Sequence, residues 1–389
     1  MGNSNNPHNA LWRTAATAML NRAEKTALAL DGQGFPHWAD SRTGKWTTTA
    51  DGDWTGGAFP GIFWLGYRMT GESRVLELAR IWSRRLRPRA QLETAFKGFG
   101  FYYGAALGDV LTGDKESASL ALEAAESLLR QFDPALGLIP LGRDAEEAAE
   151  TGRAFSSIDS LQASPLLFWA ARHTDELRYA ECASRHTMRV LEIHCRPDGS
   201  IVQSTELDGK TGQTVRHFTH KGFGDSSVWG RAQAWGMLFA AMAFAQGRQD
   251  PWLAQSMASA DWWLSNVPMD GVAYWDFNDP AIPGAPRDTA ATSIACAALL
   301  RLAELAPTAA DRQRYRQAAE HSAHTLVTHY LTRDETAGRP AGMLVGGCFN
   351  NRADARSQDR ISNAELIFGS YYLFECLQIL SGAIGANDL

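Results

Sequence analysis

Residues 234–264 read AWGMLFAAMAFAQGRQDPWLAQSMASADWWL, and this stretch decides the fold. Its first half is apolar on every side. A short polar turn, GRQD, follows, and the second half is apolar along one stripe and polar elsewhere. A helix that is hydrophobic all round is buried, whereas one with a single apolar stripe keeps its other face in water.

The same text recurs along the chain. It appears at 61–86 (GIFWLGYRMTGESRVLELARIWSRRL), 102–129 (YYGAALGDVLTGDKESASLALEAAESLL), 164–191 (SPLLFWAARHTDELRYAECASRHTMRVL) and 291–326 (ATSIACAALLRLAELAPTAADRQRYRQAAEHSAHTL). A last inner-type helix, AELIFGSYYLFECLQIL (364–380), lacks an outer partner unless the N-terminal LWRTAATAMLNRAEKTALAL (11–30) supplies it. Six hairpins whose ends meet predict an all-α fold, an (α/α)6 barrel with an inner and an outer ring. Strand-like text is scarce, with GSIVQSTEL (199–207) the clearest example. The expected organisation is one barrel domain over 1–389, with residues 1–10 a disordered leader.

Composition narrows the function. The chain has 389 residues, 45% hydrophobic, and a formal net charge of -6. That balance offers no basic footprint for nucleic acid or an anionic membrane. No window approaches a membrane span, and the start has no signal-peptide pattern. Five cysteines (Cys182, Cys195, Cys296, Cys348, Cys376) lack CxxC or paired spacing and read as free thiols, so a cytoplasmic protein is expected. There is no HExxH, P-loop, dinucleotide fingerprint or GxSxG elbow, which predicts acid/base chemistry without cofactor or metal. A monomer or homodimer is expected.

Inner helices of such a ring run in one direction, so their N-termini converge on one rim. The unusual residues collect there: DGDWTGGAFPG (51–61), AFKGFGFYYG (95–104), SSIDSLQASP (156–165), THKGFGDSSVWGRAQAWG (219–236), YWDFNDPAIPGAPRDTAATS (274–293) and NNRADARSQDRISNAELIFG (350–369). Trp54, Trp229, Trp235 and Trp275 fall in these segments; aromatic faces beside polar donors suit a pyranose, although each could equally plug the barrel end. Asp159 opens an apolar helix, either as a cap or as an acid whose pKa is raised by its surroundings. Arg231 shares a face with Trp235 at i, i+4 and needs an anion, structural or substrate. Gln233 lies on the same segment. Arg287-Asp288 reads as a structural pair or cap, and Asp53 and Asp276, each next to a Trp, as turn or cap residues. His220 precedes a glycine-rich loop.

FPHWAD, DGDWTGGAFPGIFWLGYRMTG, SIDSLQASPLLFWA, THKG, SSVWGRAQAWG, YWDF and PRDTAATSIACAALL resemble, in order and spacing, the unsaturated glucuronyl hydrolases of glycoside hydrolase family 88. The unsaturated rhamnogalacturonyl hydrolases of family 105 are more distantly similar. The resemblance covers about residues 35 to 380 and implies an (α/α)6 barrel that removes 4,5-unsaturated uronic acid from oligosaccharide ends. An Asp protonates C4, water adds at C5, and the hemiketal opens to expel the aglycone. The resemblance matches Asp159 to that acid/base and Trp54, His220, Arg231, Gln233 and Trp235 to substrate-binding cleft positions; His220 is also a catalytic candidate and Lys221 a substrate-binding one.

This chain departs from the pattern at four places. Gly98 stands where a second essential Asp is expected, in Lys97-Gly98-Phe99-Gly100-Phe101. Gln203 replaces a His, Gly142 lies near the place of a Trp platform, and Ala163 replaces an Asn. Lys97, Gly98, Tyr102 and Gln203 are therefore substrate-contact candidates in a cleft made more basic. Three readings follow: a divergent hydrolase, a β-eliminating lyase assisted by Lys97, His220 or the Tyr102/Tyr103 pair, or a saccharide-binding relative without activity.

Overall fold

A computed structural model describes residues 8–146, 154–335, 338–356 and 359–389. The inner helices are Ala58–Thr70, the broken run through Lys97–Phe101 and Leu107–Thr112, Ala163–Thr174, Gly230–Gly247, Thr289–Leu305 and Ile367–Leu380. The outer helices are Ser73–Arg84, Lys115–Gln131, Leu177–His194, Asp250–Asn266, Ala309–Thr325 and Asn9–Ala29. The N-terminal helix packs on both Ile367–Leu380 and Ala58–Thr70, so it closes the ring as the sequence predicts. Residues 1–7 of the expected leader lie outside the described residues, while Asn9 and Ala10 already belong to the first helix.

Burial explains the two rings. Every residue of Ile367–Leu380 is buried, as is every residue of Thr289–Leu305 through Leu302. Along Leu177–His194 only one stripe is buried, running through Tyr179, Cys182, Ala183, His186, Val190 and Leu191. Four hairpin turns share one solution. Each inner helix ends on a left-handed residue, Gly71, Gly113, Asp175 or Arg248, and the outer helix starts within two or three residues. A left-handed terminal residue satisfies the last carbonyls and reverses the chain in little space.

Two small antiparallel sheets sit at the rim. One orders Trp46–Thr49, Phe35–Asp40 and Ala364–Leu366; the other orders Phe155–Ser157, Ser204–Leu207 and Thr214–Phe218. The second sheet holds the candidate acid, because Ser157 pairs with Ser204 immediately before the turn Ile158–Gln162.

The barrel axis is filled in two layers. Near the rim Trp235 packs against Phe99 (4.8 Å between centroids), Phe239 (5.4 Å) and Tyr372 (5.5 Å). Below lie Tyr103, Tyr371 and Tyr372 around a buried ion pair, Arg301 to Glu375 at 2.8 Å, with Tyr371 also donating to Glu375. Removing one partner of such a pair leaves an uncompensated charge and costs about 3–5 kcal/mol. Glu375→Leu is therefore expected to lower stability by about that amount in denaturant unfolding. Adding Arg301→Met to it restores most of the loss.

Candidate active site at the helix N-termini

Asp159 lies on the 3-10 turn Ile158–Gln162, and the turn is fastened from behind. Ser157 caps it, accepting from the Asp159 amide and donating its hydroxyl to Asp159 Oδ2. Ile158 N donates to Gln203 O (2.9 Å) across the sheet. From the outer helix, His186 bonds Ser160 O (2.9 Å) through Nε2 and accepts from Ile139 N (3.1 Å) at Nδ1. His194 does likewise with Val202 O and Ser156 Oγ, both at 2.9 Å. Burial holds both imidazoles neutral, pushing His186 down to about 4 and His194 to about 3. Asp159 is buried, 7% of it exposed.

His220 and Lys221 lie on the loop after Thr214–Phe218, in the sheet whose middle strand pairs Ser204 with Ser157. One buried amide organises this loop: Gln203 Oε1 accepts from Thr219 Oγ1, His220 N (3.2 Å) and Lys221 N (3.0 Å). Three donors on one oxygen fix the amide's orientation, so Gln203 Nε2 donates to His220 Nε2 at 3.1 Å. His220 Nδ1–H then faces Ser204 Oγ at 3.1 Å. Lys221 Nζ lies 5.2 Å from the centre of the Phe349 ring. Half-buried Trp54 is nearly parallel to that ring at 6.5 Å, and its other neighbours are Phe99 and Phe368. His37 approaches the same Phe349 edge-on at 5.1 Å and bonds Thr55. The rim thus offers an aromatic wall, a cation, two imidazoles and the buried carboxyl of Asp159.

Other predicted residues are placed differently. Arg231 is 1% exposed and neutralised internally: it donates to Asp288 Oδ2 (2.7 Å) and to the carbonyls of Cys348 and Phe349. It fixes the Phe349 segment rather than presenting charge to a ligand. Asp288 caps Thr289–Leu305, and its neighbour Arg287 pairs with Asp270 instead. Gln233 is wholly occupied by Ile201 N, Gly199 O and Ser259 O. Trp235, Trp229 and Trp275 are buried, leaving Trp54 as the half-open indole of the four. Asp276 is a buried loop anchor and Gln203 a loop organiser.

The expectation of a basic cleft fails at Lys97. Its Nζ donates to Ser127 on the outer helix, with Arg130, Glu93 and Asp144 around it, and burial lowers its pKa to about 7. Tyr102 is also misplaced by the sequence reading. A π-turn, Tyr102–Ala106, rotates it into the core beside Arg301, and burial pushes its hydroxyl to about 12. Tyr103 is similarly buried, bonded by Tyr372. Neither Lys97 nor the tyrosines reach the rim, so they cannot assist an elimination there.

Gln162 was not singled out in the sequence. A Cβ built on Gly98 would overlap both Gln162 O and Gln162 Oε1, so the Asp159 turn occupies the volume of a side chain at 98. Gln162 Nε2 donates to Ala95 O, and Oε1 is buried without a hydrogen-bond partner. Among the described residues no group of three metal-binding side chains occurs, and no helix is long and apolar enough to cross a membrane.

No family model matches the chain. It is 32% identical over 373 residues to an unsaturated glucuronyl hydrolase of Bacillus sp. (strain GL1), spanning 94% of this chain and 96% of that protein. The chain belongs to the unsaturated glucuronyl hydrolase family. A member from Formosa agariphila is 28% identical over 84% of this chain and 79% of its own length. An unsaturated chondroitin disaccharide hydrolase of Streptococcus agalactiae is 25% identical over 84% and 80%. The crystal structure of the Bacillus sp. GL1 enzyme superposes with a TM-score of 0.87 at 29% identity, covering 95% of this chain and 96% of that one. An unsaturated glucuronyl hydrolase specific for heparin, 22% identical, shares the fold with a TM-score of 0.85 over 96% and 99%.

Two outcomes follow for the family's variable corner. The folded Lys97 pKa, about 7, lies below that of an unfolded lysine, so the unfolded chain holds more protons between those values. Stability therefore rises with pH through that window, and the full cost of the buried charge is felt below it. Lys97→Met is expected to stabilise the protein by roughly 2–4 kcal/mol at pH 6, the gain vanishing near pH 10. Chemical denaturation across pH checks this. Gly98→Asp, by displacing Gln162 and its turn, is expected to reduce turnover rather than improve it; a gain on standard unsaturated glucuronides would refute the steric account.

Proposed function

We propose that this chain hydrates the C4–C5 double bond of a terminal 4,5-unsaturated uronic acid and thereby releases it from an oligosaccharide. The observation that carries the reading is Asp159: one buried carboxyl, bonded by Ser157, on a turn fastened by neutral His186, beside an aromatic wall and a cation. The wide likeness to named unsaturated glucuronyl hydrolases supports the same reaction.

The steps balance without a cofactor. The Asp159 carboxyl delivers its proton to C4 while the ring oxygen stabilises the positive charge left at C5. Water adds at C5 and its proton returns to the carboxylate. The product is a hemiketal, whose opening breaks the ring, frees the anomeric carbon and lets the aglycone depart. Ser157 orients the carboxyl, and His220, held by Gln203 and Ser204, orients the sugar or the water. Trp54 and Phe349 offer a face for the flattened unsaturated ring. Lys221, over the Phe349 ring, is the cation for the uronate carboxylate, and its aromatic, partly dry surroundings strengthen that attraction. Free thiols at all five cysteines, four of them buried, fit the cytoplasmic location expected from the sequence.

Asp159→Asn keeps size and shape but removes the transferable proton. Its kcat is expected to fall about 10³-fold with little change in KM or melting temperature. The measurement is the loss of ultraviolet absorbance from lyase-generated unsaturated disaccharides. Undiminished loss in the variant would remove Asp159 from the mechanism; binding without turnover by the wild type would make the chain a saccharide-binding relative.

A further inference from the structure

The inner helices turn their N-termini to the Asp159 rim, so their C-terminal ends form the opposite mouth of the barrel. A cavity of about 670 Å³ lies there, between the ends of Leu107–Thr112, Ala163–Thr174, Gly230–Gly247 and Thr289–Leu305 and the segment 387–389. That volume is in the range of small-molecule sites. Arg172 and His173 on its edge are exposed, so it opens to solvent.

The lining is held in place by its own hydrogen bonds. Asp109 Oδ2 accepts from Trp169 Nε1 (3.1 Å) and meets His173 Nδ1 (3.0 Å), which lays the imidazole over the indole, 4.9 Å between centroids and 24° from parallel. Arg172 Nη1 donates to Gln246 Oε1 at 2.6 Å. On the far side Glu304 fastens the segment 386–387, accepting from Ala386 N (3.1 Å) and Asn387 Nδ2 (2.8 Å). The bond to a carboxylate fixes which end of the Asn387 amide is oxygen.

Two polar atoms of this lining are left over. Arg301, 1% exposed, spends Nη1 on Glu375 and on Ala297 O, while its Nη2 is buried without a hydrogen-bond partner among the described residues. Asn387 Oδ1 is in the same position. Leaving buried donors and acceptors unmatched is costly, and such pairs are rare. Nη2 can only donate and Oδ1 can only accept. An anion would satisfy the first and not the second. It would also face Asp109, Asp388 and the negative ends of four helix dipoles, with the charge of Arg301 already met by Glu375. A hydroxyl group accepts and donates, so a ligand carrying several of them suits both atoms, and the His173–Trp169 stack adds an aromatic wall for an apolar ring face.

We propose that the far mouth of the barrel is a second ligand site, which takes a neutral pyranose with its hydroxyls on Arg301 Nη2 and Asn387 Oδ1. The site goes beyond the hydrolase reading and does not depend on it. Titration calorimetry of the full chain with D-glucose, N-acetyl-D-glucosamine and D-glucuronate tests it. A neutral sugar is expected to bind. Ala245→Trp, which puts an indole into the cavity, is expected to weaken that binding at least about tenfold while kcat and KM on unsaturated disaccharides stay unchanged. Asn387→Ala, at a half-buried position, is expected to weaken it several-fold and serves as the second variant should Ala245→Trp not fold. Trp54→Ala, at the opposite rim, is expected to leave it unchanged. Sugar binding lost in Trp54→Ala but kept in Ala245→Trp and Asn387→Ala would place the ligand at the rim and overturn the site. Absence of binding by either neutral sugar, or tighter binding of glucuronate than of both at the position sensitive to Ala245→Trp, would overturn it too.

Discussion

The turn Ile158–Gln162 rests so closely on the inner helix beginning at Lys97 that position 98 has room for no side chain. Only glycine permits such an approach of two backbones, and the geometry of the pocket follows from it. The turn moves into the vacated volume, the Gln162 amide fills what remains, and Lys97 is directed outward to Ser127. On that turn Asp159 takes the Ser157 hydroxyl, and behind it the uncharged His186 holds the Ser160 carbonyl. The proposed hydration asks this buried carboxyl to give and take one proton per turnover.

Charge is distributed in the same spirit. Two arginines deep in the inner ring are neutralised on the spot, Arg231 by Asp288 and Arg301 by Glu375, with exposures of 1% or less for all four side chains. These pairs organise segments: Arg231 pins the stretch that carries Phe349, and Arg301 anchors the tyrosine layer beneath the pocket floor. The proposed cation for an anionic sugar, Lys221, stands on the loop over the Phe349 ring. The division leaves the rigid barrel neutral and places recognition on two loops braced by Asp276, Gln203 and Arg352.

The barrel was legible because its signal is periodic: apolar-all-round helices alternate with striped ones, and burial follows that text residue by residue. The rim placement of Asp159, Trp54, His220 and Lys221 was legible because rim segments are read from helix starts. What escaped depends on distant partners or on local breaks of register. Nothing near Arg231 announces Asp288, 57 positions away. A π-turn over Tyr102–Ala106 turns Tyr102 from the rim into the core, and no periodicity reports one extra residue per turn. Gln162 is a polar residue at the start of an apolar helix, with meaning only beside Gly98. His186 did leave a trace, since it interrupts the apolar stripe Tyr179, Cys182, Val190 at helical spacing. A histidine in such a stripe has to find buried partners, and it finds them in Ile139 N and in Ser160 O on the turn that carries Asp159.

The most direct test of the account is proton NMR of an unsaturated disaccharide during turnover, following the vinyl H4 signal and the new reducing end together. Hydration led by Asp159 predicts that H4 disappears at the rate at which the freed sugar appears, with no unsaturated monosaccharide accumulating. Release of the sugar while H4 persists would mean direct displacement at the anomeric carbon, and would contradict the mechanism assigned to this pocket.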